Sequence, residues 1–150
     1  MANVQQALRN VRIIHFGFLT APALLFFVLS TIRITGKAEP SFLPTVLAVL
    51  AFSEVGIATL FRGKMIRPAV RRLEHSPQDS AALAQWVSGN ILSFVFALSL
   101  VLYGVLIRVM GFSWNIAAWF FVSGFLLLMV WKPRLDLPQS ANGSPTLKIS

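Results

Sequence analysis

Four long apolar runs constrain this 150-residue chain more than any other feature. They cover residues 13–33, 42–61, 90–109 and 113–131 and are dense in Leu, Val, Ile, Phe and Ala. A helix needs roughly 20 apolar residues to cross a hydrocarbon core of about 30 Å. None of the runs alternates apolar and polar residues as a membrane β-strand does, so helices satisfy the backbone. The sequence predicts an all-α, polytopic membrane protein with four transmembrane helices.

The composition agrees with a lipid environment and excludes several chemistries. Hydrophobic residues make up 56% of the chain and charged residues 12%, whereas soluble domains are nearer a quarter charged. The net charge is +8, but the basic residues flank the apolar runs. This pattern favours anionic lipid headgroups as the partner and argues against nucleic acid. The chain has no Cys, which excludes disulfides, Cys-ligated metals and thiol catalysis.

The distribution of basic residues predicts the topology. Of the 13 Lys and Arg residues, all but three precede the first run, lie within 62–86, or follow the fourth run. Cytoplasmic segments of membrane proteins carry such an excess. We therefore expect a multi-pass protein of the cell inner (plasma) membrane, with both termini and the segment 62–86 in the cytoplasm.

Residues 1–131 are predicted to form the transmembrane domain, with 62–86 as a cytoplasmic basic loop and 132–150 as a mobile tail. Apolar residues at helical spacing in 66–73 also allow a short helix lying on the inner leaflet, and both interpretations stay open. The "SPQD" of 76–79 predicts a helix beginning at Ser76, with Asp79 in the place of a capping-box acid. The side chains expected at lipid headgroups are Lys64, Arg67, Arg71 and Arg72.

Two short segments suggest an internal repeat. "STIRITG" spans residues 30–36 and "VLIRVMG" spans 105–111, an offset of half the chain. Each closes an apolar run with Ile-Arg followed by Gly. The pattern predicts two tandem helical hairpins of the same orientation, unlike the inverted repeats of many transporters.

Small residues and tryptophans predict packing and anchoring positions. Gly89, Ser93 and Ala97 recur at every fourth position, which lets helices approach closely. They are expected to pack the bundle or to form a homo-oligomeric contact. Three tryptophans fall near the ends of the predicted spans, where indole rings commonly lie at the membrane interface; they are Trp86, Trp114 and Trp131.

Glu54 is a carboxylic acid near the centre of the second run. A charge at that depth costs at least about 2.5–3.5 kcal/mol, so we expect the neutral form. One interpretation is a carboxyl that exchanges protons or cations, or that contacts a bound subunit, quinone or pigment. The other is a neutral acid hydrogen-bonded to Ser, Thr or Tyr103 within the bundle.

His15 lies near the cytoplasmic end of the first run. Its imidazole could ligate haem or the magnesium of a pigment, or contact a polar headgroup. The sequence holds no paired carboxylates, no cluster of metal ligands and no Ser/His/Asp constellation at one depth. It therefore predicts that the chain is not an enzyme, and it specifies no cofactor.

The segment "ALSLVLYGVLIRVMG", residues 97–111, resembles the second helix of the c subunit (proteolipid) of F-type ATP synthases. Leu-Tyr-Gly-Val at 102–105 is similar to the Ile-Tyr-Gly-Leu of that family. The resemblance implies tandem hairpins and ion translocation. The family's ion-carrying carboxylate would fall near Leu98, where this chain has uncharged residues, so that site is not transferred to Glu54. The chain also resembles small four-span bacterial membrane proteins, which implies no activity.

These observations predict a non-enzymatic accessory or assembly subunit, or a homo-oligomeric component, of a membrane complex. Its partners would be other membrane subunits or further copies of the chain. The first alternative is proteolipid-like translocation of protons or cations by Glu54. The second is binding of haem, quinone or pigment near His15.

Overall fold

The computed structural model describes residues 4–32 and 42–135, and this part of the chain is all-helical, as predicted. Three of its helices are long and apolar enough to cross a membrane, and the fourth is a shorter apolar helix of 17 residues. At about 25 Å the fourth helix is at the lower limit of a membrane span. The elements are α1 (Val4–Thr31), α2 (Leu43–His75), α3 (Ser80–Val109) and α4 (Trp114–Val130).

The helices alternate in direction, so one end of the protein gathers four chain segments. At this end α1 begins, α2 ends, α3 begins and α4 ends. We call it the basic end, because most of the described Lys and Arg residues lie there. Residues 33–41 and 136–150 are outside the described part, and they hold the end of the first repeated segment and most of the predicted tail.

The segment 62–86 is not a loop. α2 continues through it to His75, and α3 begins only five residues later, at Ser80. The continuation forms because α2 buries one face at helical spacing, with Ile66, Ala69 and Leu73 all in the core. The prediction of a separate helix lying on the leaflet is therefore wrong, because the basic segment and the second span are one helix.

The extension of α2 beyond its apolar run covers the side chain of Trp86. Its side chain is fully buried (0% exposed) in a core that includes Leu73 and Val11. The prediction of an interfacial anchor is wrong for Trp86 because α2 continues past the apolar run and packs over the ring. Trp131 is also buried, while Trp114 is half-buried against Phe26, with ring centroids 5.0 Å apart.

The start of α3 is capped by Asp79 and not by Ser76. The Asp79 carboxylate accepts hydrogen bonds from the backbone N–H groups of Ala81 and Ala82, both at 3.0 Å. Ser76 instead donates its backbone N–H to Arg72 O at 2.8 Å and so completes the last turn of α2. The four-residue turn thereby satisfies the donors at one helix end and a carbonyl at the other.

α3 ends in a Schellman motif. Gly111 adopts a positive φ of 83°, its N–H donates to Arg108 O at 3.0 Å, and Phe112 N–H donates to Ile107 O at 3.2 Å. Left-handed backbone at this position favours glycine. The second repeated segment therefore ends at Gly111 because the chain must reverse direction there.

α3 is the central helix. It packs along α1, α2 and α4, and α1 also packs against α4. The two halves of the chain are thus not packed alike: α3 and α4 form a close pair, whereas α1 and α2 are held together mainly through α3. The buried side of α3 runs almost its whole length, from Ala82 to Ile107.

Two glycines set the spacing between α3 and α4. A Cβ atom at Gly124 would lie 2.7 Å from both Ala97 O and a Val101 methyl group. A Cβ atom at Gly104 would lie 3.0 Å from Ala117 O. Backbone atoms cannot move aside cheaply, so the close approach of these helices depends on glycine at both positions.

We expect Gly124→Ala to destabilise the protein by about 1–3 kcal/mol, because the added methyl group forces α4 away from α3. The matched control is Gly56→Ala, since a Cβ there meets nothing within 4 Å. Thermal unfolding in detergent, followed by circular dichroism, measures both. Equal melting temperatures for the two variants would contradict the close packing of α3 on α4.

Candidate functional site

Glu54 lies on α2 and points its carboxyl group at α3. The Tyr103 hydroxyl donates a hydrogen bond to Glu54 Oε1, and Ser99 Oγ lies 2.5 Å from Glu54 Oε2. Ser99 and Tyr103 share one face of α3 because they are four residues apart. Glu54 is about 17 Å along α2 from its first residue, so the cluster lies deep in the predicted span.

Counting protons shows that the neutral acid form of Glu54 can satisfy every group of the cluster. Ser99 Oγ is also 2.7 Å from Phe96 O, and its single proton can be donated to only one acceptor at a time. If Ser99 donates to the carbonyl, its oxygen accepts a proton from Glu54 Oε2, and only the carboxylic acid form of Glu54 can donate it. Tyr103 then donates to Oε1, and no polar atom of the cluster is left without a partner.

This geometry corresponds to the hydrogen-bonded interpretation of Glu54. Both carboxyl oxygens are engaged by hydroxyl groups of a neighbouring helix, and Tyr103 is the partner named from the sequence. Ser99 was not identified as a partner. Two features of the sequence point to Ser99: it is four residues from Tyr103, and it lies deep in the third apolar run. Proton exchange at Glu54 would have to rearrange at least the hydrogen bond between Oε2 and Ser99.

His15 is buried between α1 and α3. It is 6% exposed, and its ring centroid is 4.8 Å from that of Phe94. Burial makes it a core residue and not a headgroup contact. Its Nδ1 has no hydrogen-bond partner, and the same holds for Trp86 Nε1 and Asn90 Oδ1 in this region. The Asn90 amide instead donates to Trp86 O at 2.9 Å.

The small-residue line of α3 is used inside the protein. Gly89, Ser93 and Ala97 are all buried. A Cβ atom at Gly89 would lie 2.9 Å from the Ile66 side chain, and the Ala97 carbonyl faces Gly124. These residues therefore pack α3 against α2 and α4, and they present no surface to a second copy of the chain.

Two arginines stack on tryptophans at opposite ends of the protein. At the basic end, Arg62 Cζ lies 5.8 Å from the centroid of the Trp131 ring. At the other end, Arg108 Cζ lies 5.5 Å from the Trp114 ring. Each stack combines attraction to the ring face with burial of the side-chain stem. Arg62 Nη1 is buried and has no hydrogen-bond partner.

The basic side chains predicted to contact headgroups are all exposed on the continuation of α2. These side chains are Lys64, Arg67, Arg71 and Arg72. Among the residues described, no other element covers them. Arg9 and Arg12 of α1 are exposed at the same end. The described part of the chain brings together no group of three or more His, Asp or Glu residues that could hold a metal ion.

A groove of about 530 Å³ lies between α2 and α4, with Leu100 of α3 as its floor. Its walls are apolar except for the hydroxyl of Ser123. His15 and Glu54 are not among the lining residues. The other lining residues are Ala48, Ala51, Phe52, Val55, Trp119, Phe120, Leu126, Leu127 and Val130.

No protein-family model, curated protein or solved structure matches this chain. The resemblance of residues 97–111 to the ATP synthase c subunit therefore stays a prediction. In the structure that segment belongs to α3 and its following turn, and Tyr103, which carries the resemblance, is the residue that donates to Glu54.

We expect a double-mutant cycle of Glu54→Leu and Tyr103→Phe to give a favourable coupling of about 0.6–1.7 kcal/mol, the range for hydrogen bonds between membrane helices. Unfolding in mixed micelles measures the four free energies. The control cycle pairs Glu54→Leu with Thr59→Ala, because Thr59 donates to Val55 O and shares no partner with Glu54. That pair should be additive. Additivity in both cycles would show that the Glu54–Tyr103 bond contributes nothing to stability.

Proposed function

We propose that the chain is a non-enzymatic protein of the cell inner membrane that serves as an accessory subunit of a membrane complex. In this proposal both termini and the α2–α3 turn are cytoplasmic. The observation that carries it is the packed helical structure of the basic end. Residues 4–12 of α1, 62–75 of α2 and 80–89 of α3 form a helical extension beyond the apolar runs, which we call the basic platform.

The lengths of the helices support a platform that stands above the membrane surface. α2 has 33 residues, or about 50 Å, against a hydrocarbon core of about 30 Å. The stack of Arg62 on Trp131 places Arg62 level with the end of α4. The 13 residues from Arg62 to His75 then rise about 20 Å beyond that level.

This height divides the basic side chains into two sets. The headgroup layer adds about 5–8 Å on each side of the hydrocarbon core. On an upright α2, Lys64 and Arg67 lie about 3 and 8 Å beyond Arg62 and reach that layer. Arg71 and Arg72 lie about 14 and 15 Å beyond it, above the headgroups. In this proposal Lys64 and Arg67 keep the predicted role at anionic headgroups. Arg71 and Arg72, which were also predicted at headgroups, instead contact an acidic surface of a partner subunit.

The alternatives make different demands on the same structure. Proteolipid-like translocation requires Glu54 to exchange its proton or a cation, although Ser99 and Tyr103 occupy its carboxyl group. Binding of haem, quinone or pigment near His15 requires space beside an imidazole that is packed against Phe94. The accessory role uses the exposed cations and requires no change at Glu54 or His15.

Charge reversal on the platform tests the accessory role. We expect the wild type, purified in mild detergent, to carry stoichiometric foreign subunits on a native gel, identified by mass spectrometry. Arg71→Glu with Arg72→Glu should lose them, because like charges repel across the contact. Arg71→Lys with Arg72→Lys is the matched control and should keep them. The complex should also weaken as salt is raised.

Other results would overturn the proposal. Foreign subunits that stay bound after charge reversal do not use the platform. A colourless homo-oligomer without foreign subunits contradicts an accessory role. In that case proton flux in liposomes, compared between wild type and Glu54→Gln, tests the translocation alternative. A coloured wild type that loses its absorption in His15→Phe would favour the pigment alternative.

A further inference from the structure

We propose that the groove between α2 and α4 is a binding site for one anionic phospholipid from the leaflet at the basic end. An acyl chain lies along the groove, and the phosphate is bound at the guanidinium group of Arg62. This site is separate from the platform residues assigned to a partner subunit.

The groove is long enough to hold much of an acyl chain. It follows α4 from Trp119 to Val130, and eleven residues of helical rise correspond to a length of about 17 Å. Its volume is about 530 Å³, and it is open to the outside between α2 and α4. A polymethylene chain can lie along it in contact with both walls.

The lining chemistry agrees with a hydrocarbon ligand. Leu100, Leu127 and Val55 present aliphatic side chains, and Ser123 contributes the one hydroxyl group. α2 is held by α3 and does not pack along α4. A chain bound in the groove would contact both walls and so add dispersion contacts between two helices that touch each other only locally.

The basic end of the groove supplies a cation. Val130 lines the groove, Trp131 follows it in sequence, and Arg62 stacks on Trp131. On α2, Arg62 is seven residues beyond Val55, which is two turns further along the same face. Arg62 is only partly exposed, and its buried Nη1 has no hydrogen-bond partner. A guanidinium group matches the oxygen pairs of a phosphate diester. Phosphatidylcholine carries the same diester together with a quaternary ammonium group that Arg62 repels, so the site prefers lipids whose headgroup has a net negative charge.

Native mass spectrometry of the detergent-purified protein tests the site. The protein is delipidated and titrated with phosphatidylglycerol or with phosphatidylcholine of the same acyl chains. We expect one phosphatidylglycerol per chain, bound about fivefold more tightly than phosphatidylcholine, as one cation near an anionic surface predicts. Arg62→Gln should remove the preference. Ser123→Phe should weaken both lipids, because the ring fills the groove from an exposed position.

Arg108→Gln is the matched control, since Arg108 stacks on Trp114 at the opposite end and should leave the preference unchanged. Arg62→Lys keeps the charge and should retain most of the preference for phosphatidylglycerol. This variant is compared with the wild type if Arg62→Gln fails to fold. Equal binding of the two lipids by the wild type would overturn the proposal. So would an unchanged preference in Arg62→Gln, displacement of the lipid by inorganic phosphate alone, or a dimer whose contact is lost in Ser123→Phe.

Discussion

A carboxyl group in hydrocarbon must find hydrogen-bond partners inside the protein, and this requirement fixes how α2 lies on α3. Glu54 meets it with two hydroxyl groups, from Ser99 and Tyr103, that share one face of α3. Water is absent at that depth, so a rotation of α2 would leave the acid without partners at a cost of several kcal/mol. The acid therefore adds a specific polar constraint on the rotational setting of α2 to the constraint set by its buried apolar face.

α3 connects the contact with α2 to the packing of the rest of the protein. The same helix that presents Ser99 and Tyr103 to α2 approaches α4 closely through Gly104 and Gly124. Beyond the apolar runs it continues as one wall of the basic platform, where Trp86 is buried. The membrane-embedded part and the platform are thus parts of one helical unit.

The sequence predicts the class of this fold but not the lengths of its helices. The four apolar runs locate the helices because spanning lipid requires them. The sequence places the end of α2 too early, because the basic residues after 61 suggest a loop. Ile66, Ala69 and Leu73 lie between those basic residues and form a buried face that continues the helix. The burial of Trp86 depends on that continuation, so no local pattern shows it. Tyr103 was a possible partner of Glu54 from its chemistry, whereas the choice of Ser99 depends on which face of α3 meets α2.

The central claim is that Glu54 is a neutral, hydrogen-bonded link between α2 and α3. Infrared difference spectroscopy of wild type against Glu54→Gln in liposomes tests it most directly. The account predicts a carboxylic acid C=O band for Glu54 that shifts to higher frequency in Tyr103→Phe, because one hydrogen bond to the carbonyl is lost. Carboxylate bands in place of the acid band would contradict it, since an ionised Glu54 cannot donate to Ser99.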